Sequence, residues 1–215
     1  MKAPVKPEFG PTLPHMLGRR LHGAPAWARG GLGAAAVAAV VIVALAAALL
    51  VGKPSYSHGG ALPFSFPYSS RLHRVAAPGA FVRLEQRRAG RLVQSFEVAP
   101  LRLPAYQGRM FGELPLFADG YIRRLRGALP GFQLVYEGRT PPTNPLGYQI
   151  LYRYRGPGGV PVYGRDEILL RDRPDARNAL LLVMRATPLA GVGYAPAVGV
   201  AGGPLTQIVN DFTFG

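Results

Sequence analysis

The sequence predicts an α+β protein, in which one N-terminal transmembrane helix precedes an antiparallel β-sheet domain with helices packed on it. Three observations lead there. Residues 32–51, LGAAAVAAVVIVALAAALLV, carry no charged or hydrogen-bonding side chain. Residues 114–129 hold the one strong helical apolar period. Four strand-like runs then follow one another through short, turn-rich separators. The expected organisation is a basic tail (1–30), a membrane helix (31–52), a linker (53–70) and an extracytoplasmic domain (71–215).

At 1.5 Å per residue the apolar run spans about 30 Å, the thickness of a hydrocarbon core. Lipid offers the backbone no water, so a lone spanning segment is helical. Ala44-Leu45-Ala46 also reads as a signal-peptide cleavage triplet. The long tail before the run and its continuation past the triplet favour an uncleaved anchor. The tail carries Lys2, Lys6, Arg19, Arg20 and Arg29 against Glu8, whereas only Lys53 closely follows the span. The positive-inside rule therefore places the N-terminus in the cytoplasm and the C-terminal domain outside. Trp27 and Tyr56 flank the span, where interfacial aromatics belong. Gly31, Ala35 and Ala39 have a close-packing spacing, but in an Ala-rich span this assigns no oligomeric state.

Residues 53–70, KPSYSHGGALPFSFPYSS, read as a linker. The domain opens with a hairpin: runs 80–86 and 91–98 flank Arg87-Arg88-Ala89-Gly90. The helix follows, with Leu114, Phe117, Tyr121, Leu125 and Leu129 as its apolar stripe, and Arg123, Arg124 and Arg126 largely off it. Pro130-Gly131 ends it. Strands are expected at 132–139, 148–155, 160–171 and 179–186, antiparallel because their connectors are too short for parallel crossovers. In the second of these, Tyr148, Ile150, Tyr152 and Tyr154 share one face. That tyrosine row is either a platform for a stacked ligand or packing beneath a helix. Residues 188–203 have no period and five glycines, and read as a long mobile loop. A short helix at 204–210 and an apolar tail close the chain.

The order of these elements resembles the PsbP-like α/β/α sandwich. The residues carrying the resemblance are FADGYIRRLRGALPGF, GYQILYRYR, PVYGRDEILLRD and the ending IVNDFTF. It covers roughly residues 72–214. It implies an antiparallel sheet with helices against it, and mostly binding or assembly roles. The chain departs from the pattern at 188–203, and no functional residue carries over, since fold does not fix function.

Chemistry is sparse. The chain has no cysteine, which removes disulfides and thiolate sites. His15, His22, His58 and His73 form no pair at ligand spacing, so no metal is expected. No phosphate loop or nucleophile elbow occurs, no cofactor is expected, and Ser95 is the only serine after residue 70. Asp166 and Glu167 are adjacent and so point to opposite faces of a strand; most acids are expected in surface ion pairs. A carboxylate pair, Glu97 with Asp166, is the one hydrolase arrangement left open.

Net charge is +14, of which the part beyond residue 52 contributes +10 from twenty basic and ten acidic residues. Either a GC-rich genome's codon usage or attraction to an anionic partner accounts for this. Arg123, Arg124, Arg126, Arg153 and Arg155 are the candidate contacts for anionic lipid, a wall polymer or another envelope protein. Nucleic acid conflicts with the expected location. The sequence thus predicts a non-catalytic binding or assembly module at the cell envelope, integral to the membrane.

Overall fold

The computed structural model describes residues 38, 40–41, 53–104, 110–140, 147–170 and 177–215, omitting the side chains of 110 and 111. The chain divides into two units, Met1–Gly52 and Lys53–Gly215. In the first, Ala38, Val40 and Val41 are helical and exposed. The rest of the expected membrane span lies outside the described residues, among which no helix is long and apolar enough to cross a membrane.

The second unit is built on a seven-stranded antiparallel sheet. In chain order its strands are β3 (His73–Val75), β4 (Val82–Arg88), β5 (Arg91–Arg102), β6 (Gln133–Arg139), β7 (Gly147–Arg155), β8 (Pro161–Leu170) and β9 (Asn178–Ala186). Across the sheet the order is β3-β4-β5-β9-β8-β7-β6. The four strand runs after the helix thus pair as successive antiparallel neighbours, within a residue or two of their expected bounds.

One face of the sheet packs under α1 (Met110–Ala128). Leu114, Ala118 and Ile122 are its buried line, against Tyr148, Ile150, Tyr152 and Ile168. Phe117, Tyr121 and Leu125 are only partly buried beside them. Leu114 of the expected stripe is thus in the buried line, and its other members flank that line. Positions four apart from Leu114 run nearly parallel to the helix axis, but small Ala118 adds little to an apolar period.

The opposite face is covered by a second layer. It consists of α2 (Pro204–Asp211), the segment 188–203, and a small sheet of β1 (Ser55–His58), β2 (Phe64–Pro67) and β10 (Thr213–Phe214) in the order β1-β2-β10. Phe64, Phe66, Val192, Ala197, Val198, Leu205 and Ile208 join Leu84, Phe96, Leu182 and Met184 in one core. Two expectations are corrected here. Residues 53–70 are not a linker: Phe64 and Phe66 alternate with Ser65 and Pro67, so one face of a hairpin lies on the core. Tyr56 donates its hydroxyl to the Phe81 carbonyl at 3.0 Å and packs on Phe64 and Phe66. It is part of this domain. Residues 188–203 are not a bare loop either. They make two short 3₁₀ turns, Pro188–Ala190 and Ala195–Ala197, and bury valine and alanine on the sheet.

The β4–β5 hairpin turns on Ala89 and Gly90, with φ of 48° and 75°. Two positive φ values in a two-residue loop belong to the turn that matches strand twist. Glycine adopts this conformation freely, while alanine pays for its Cβ. Ala89→Gly is therefore expected to stabilise the full-length protein by about 0.5–1 kcal/mol, read as a higher urea midpoint at unchanged slope. An unchanged or lower midpoint would show that the turn carries no strain.

Candidate functional site

Strand alternation sends Asp166 and Glu167 to opposite faces of β8, as the sequence requires, but both are buried rather than at the surface. Asp166 lies under α1 with 0% exposure. Arg185 Nη1 donates to its Oδ1 at 2.5 Å, Tyr121 donates to Oδ2 at 2.7 Å, and the Tyr152 hydroxyl reaches both oxygens at 3.0 and 3.1 Å. The register makes this convergence possible: Gly164 pairs with both Tyr152 and Arg185. A Cβ at Gly164 would stand 2.4 Å from the Tyr152 ring, so only glycine leaves the phenol room to lie there. Arg185 stacks over that ring at 4.8 Å.

On the other face, Arg165 Nε donates to Glu167 Oε1 at 2.6 Å and its Nη1 to the Val198 carbonyl at 3.3 Å. This ties the 188–203 segment to the sheet. Burial holds the Glu167 carboxyl above its ordinary value, with Arg165 opposing. Burial would lower the Arg185 guanidinium, but Asp166 beside it overrides this and raises it.

Glu97 shares the α1-side face with Asp166, one strand apart through Val183. Glu97 faces Arg83 at 3.5 Å, whereas Asp166 has no exposed surface and three partners. The pair therefore does not flank an open cleft. Among the described residues no group of three or more His, Cys, Asp or Glu is placed to hold a metal.

The surface arginines fall on two sides of the sheet. Arg123 pairs with Asp119 at 2.9 Å, and Arg124 lies over the Phe117 and Tyr121 rings at 5.8 and 5.7 Å. These two and Arg126 are exposed on α1. Arg153 and Arg155 alternate with the tyrosine row and emerge on the opposite face. Tyr148 and Tyr152 are buried under α1 and Tyr154 is half-buried, so the row is packing, not an open platform.

One open feature, of about 390 Å³, lies over residues 74–77 and 80–83; another is a groove at the β6 side of the sheet. One concavity, of about 260 Å³, holds Gly131, Gln133, Arg153, Tyr154 and Arg155. A second, of about 320 Å³, shares Gln133 and Arg153 and continues to Val135, Tyr163 and Tyr194. Arg153 Nε donates to Gln133 Oε1 at 2.7 Å, which fixes the guanidinium where the two meet. Tyr194 is 63% exposed and Val135 48%. The sequence marked Arg153 and Arg155; it missed Tyr194, which rides on the segment read as a loop.

No family profile matches the chain, and no curated protein matches it. Solved structures do. The solution structure of cyanobacterial PsbP (CyanoP) from Synechocystis sp. PCC 6803 has a TM-score of 0.50 at 11% identity, over 76% of this chain and 93% of that one. The crystal structure of LpqN, involved in cell envelope biogenesis of Mycobacterium tuberculosis, has a TM-score of 0.50 at 11% identity, over 75% and 90%. The fold is PsbP-like, as the order of elements in the sequence implied.

The phenols give the buried network a pH signature. Burial, then the Glu137 carboxylate, pushes the Tyr148 phenol up to about 12; burial, then Asp166, raises Tyr121 and Tyr152 as well. The folded protein thus keeps protons that the unfolded chain, with ordinary phenols near 10, releases. Stability should be intact below pH about 10 and fall as pH rises toward about 12, by up to about 1.4 kcal/mol per pH unit for each phenol. Urea midpoints measured across this range should fall less steeply in Tyr121→Phe/Tyr148→Phe; equal slopes would contradict the assignment.

Proposed function

We propose that this is a single-pass membrane-anchored envelope protein whose extracytoplasmic domain is a non-catalytic binding or assembly module for an anionic partner. The observation that carries this is the groove beside β6, where Arg153 is held at the junction of two concavities with Arg155 on one side and Tyr194 on the other. A guanidinium presents a planar fork suited to carboxylate or phosphate oxygens. The domain's surplus of ten positive charges supplies attraction at longer range. The α1 trio is a weaker candidate, because Arg123 already has Asp119 and Arg124 lies on two rings. Asp166, sealed under α1, offers a hydrolase nothing to present to a substrate.

The apolar run at 32–51 and the basic tail before it support the anchor and its orientation. A fold shared with an envelope-biogenesis protein agrees with this location without specifying a partner. Protease added to intact spheroplasts should digest the domain beyond residue 52 and spare the N-terminal tail. A protected domain would overturn the orientation, and a domain released from membranes would mean cleavage.

Binding should follow screening. The full-length protein in phosphatidylcholine nanodiscs should bind fluorescent teichoic acid or polyglutamate, weakening by about tenfold or more from about 0.05 to about 0.5 M salt. Arg153→Gln/Arg155→Gln should weaken it more than Arg123→Gln/Arg126→Gln. Absence of binding at the lowest salt would refute an anionic partner.

A further inference from the structure

The strand β6 ends the seven-stranded sheet and pairs only with β7 among the described residues. Leu134, Val135 and Tyr136 are exposed in succession, at 37%, 48% and 49%. Open strand edges are usually shortened, charged or covered, because their free N–H and C=O groups pair with other chains. This edge is apolar in its middle and reaches a charge only at Glu137. A bulge leaves Val135 without a partner on β7, while Tyr136–Arg139 keep regular register. Val135 itself lines the groove with Arg153 and Tyr194. An edge able to form backbone bonds, an apolar wall and a fixed cation therefore lie together.

We infer that β6 takes up an extended acidic segment of a partner protein as an added strand, its carboxylates on Arg153 and its apolar side chains against Val135 and Tyr194. This deepens the proposed anionic binding and rests on it. Charge selects the occupant. A second copy would bring Arg153, Arg155 and a domain of net +10 against their own likeness. A lipid headgroup or wall polymer satisfies the arginines but has no peptide groups for the strand edge. An acidic peptide supplies backbone, apolar side chains and negative charge together. Seven residues of β6 offer about 23 Å, enough for a segment of similar length.

The test uses the full-length protein in phosphatidylcholine nanodiscs and a fluorescent peptide of about ten residues alternating Glu and Val. A second peptide has the same side chains but N-methyl groups on alternate residues, which remove the donors on one edge. The second peptide is made with either alternate set methylated: the unmodified peptide should bind at least about tenfold more tightly than the one version whose methyl groups face β6, and about as tightly as the other. Val135→Pro should weaken peptide binding by a similar factor. If Val135→Pro loses its far-UV circular dichroism, the N-methylated pair decides alone. Equal affinity of the unmodified peptide and both methylated versions, with teichoic acid still bound, overturns strand addition and keeps the anionic site. Failure of every anionic probe to bind overturns both.

Discussion

The fold depends on two adjacent carboxylates in β8. Asp166 and Glu167 point into different layers, and neither reaches water. Each therefore requires a buried cation, and the sheet provides Arg185 beneath α1 and Arg165 beneath the 188–203 segment. Removing one partner from such a pair typically costs about 3–5 kcal/mol, because it strands the other charge. A one-residue slip of β8 would send both carboxylates to the wrong faces. Burial of apolar surface gives the sandwich its stability; these pairs give the central strand one register.

The strands after the helix were legible because period-two patterning and turn-rich separators act locally. Where local signals conflicted, the reading failed. In 53–70 glycine, proline and serine outweighed the alternation of Phe64 and Phe66. In 188–203 valine and alanine are buried by tertiary packing with no period to announce it. The pairing of Asp166 with Arg185 joins two strands and a helix, which no short window contains. One signal was available: Arg185 is a lone charge in the apolar run ALLLVMRA, the kind of residue that needs a buried partner.

The surface was half-legible. Composition identified the arginines but not their division between two sides of the sheet, which follows from α1 lying on one face and strand alternation placing Arg153 and Arg155 on the other. Tyr194 was missed because its position depends on how 188–203 packs. The groove thus joins residues from β6, β7 and a segment some forty residues later in the chain, roughly, so that its shape is a property of the sandwich.

The small sheet has a bearing on how the chain is made. β2 is formed near the start of the domain, and β10, which pairs with it, follows every other described strand. Ribosome synthesis delivers the hairpin long before its third strand. Until then Phe64 and Phe66 lack the neighbouring Phe212 ring and the strand beyond it. Closing so long a loop is slow and entropically opposed. Pairing of β2 with β10, and the stacking of Phe212 on Phe64 and Phe66, therefore complete the small sheet only after residues 212–214 have been made.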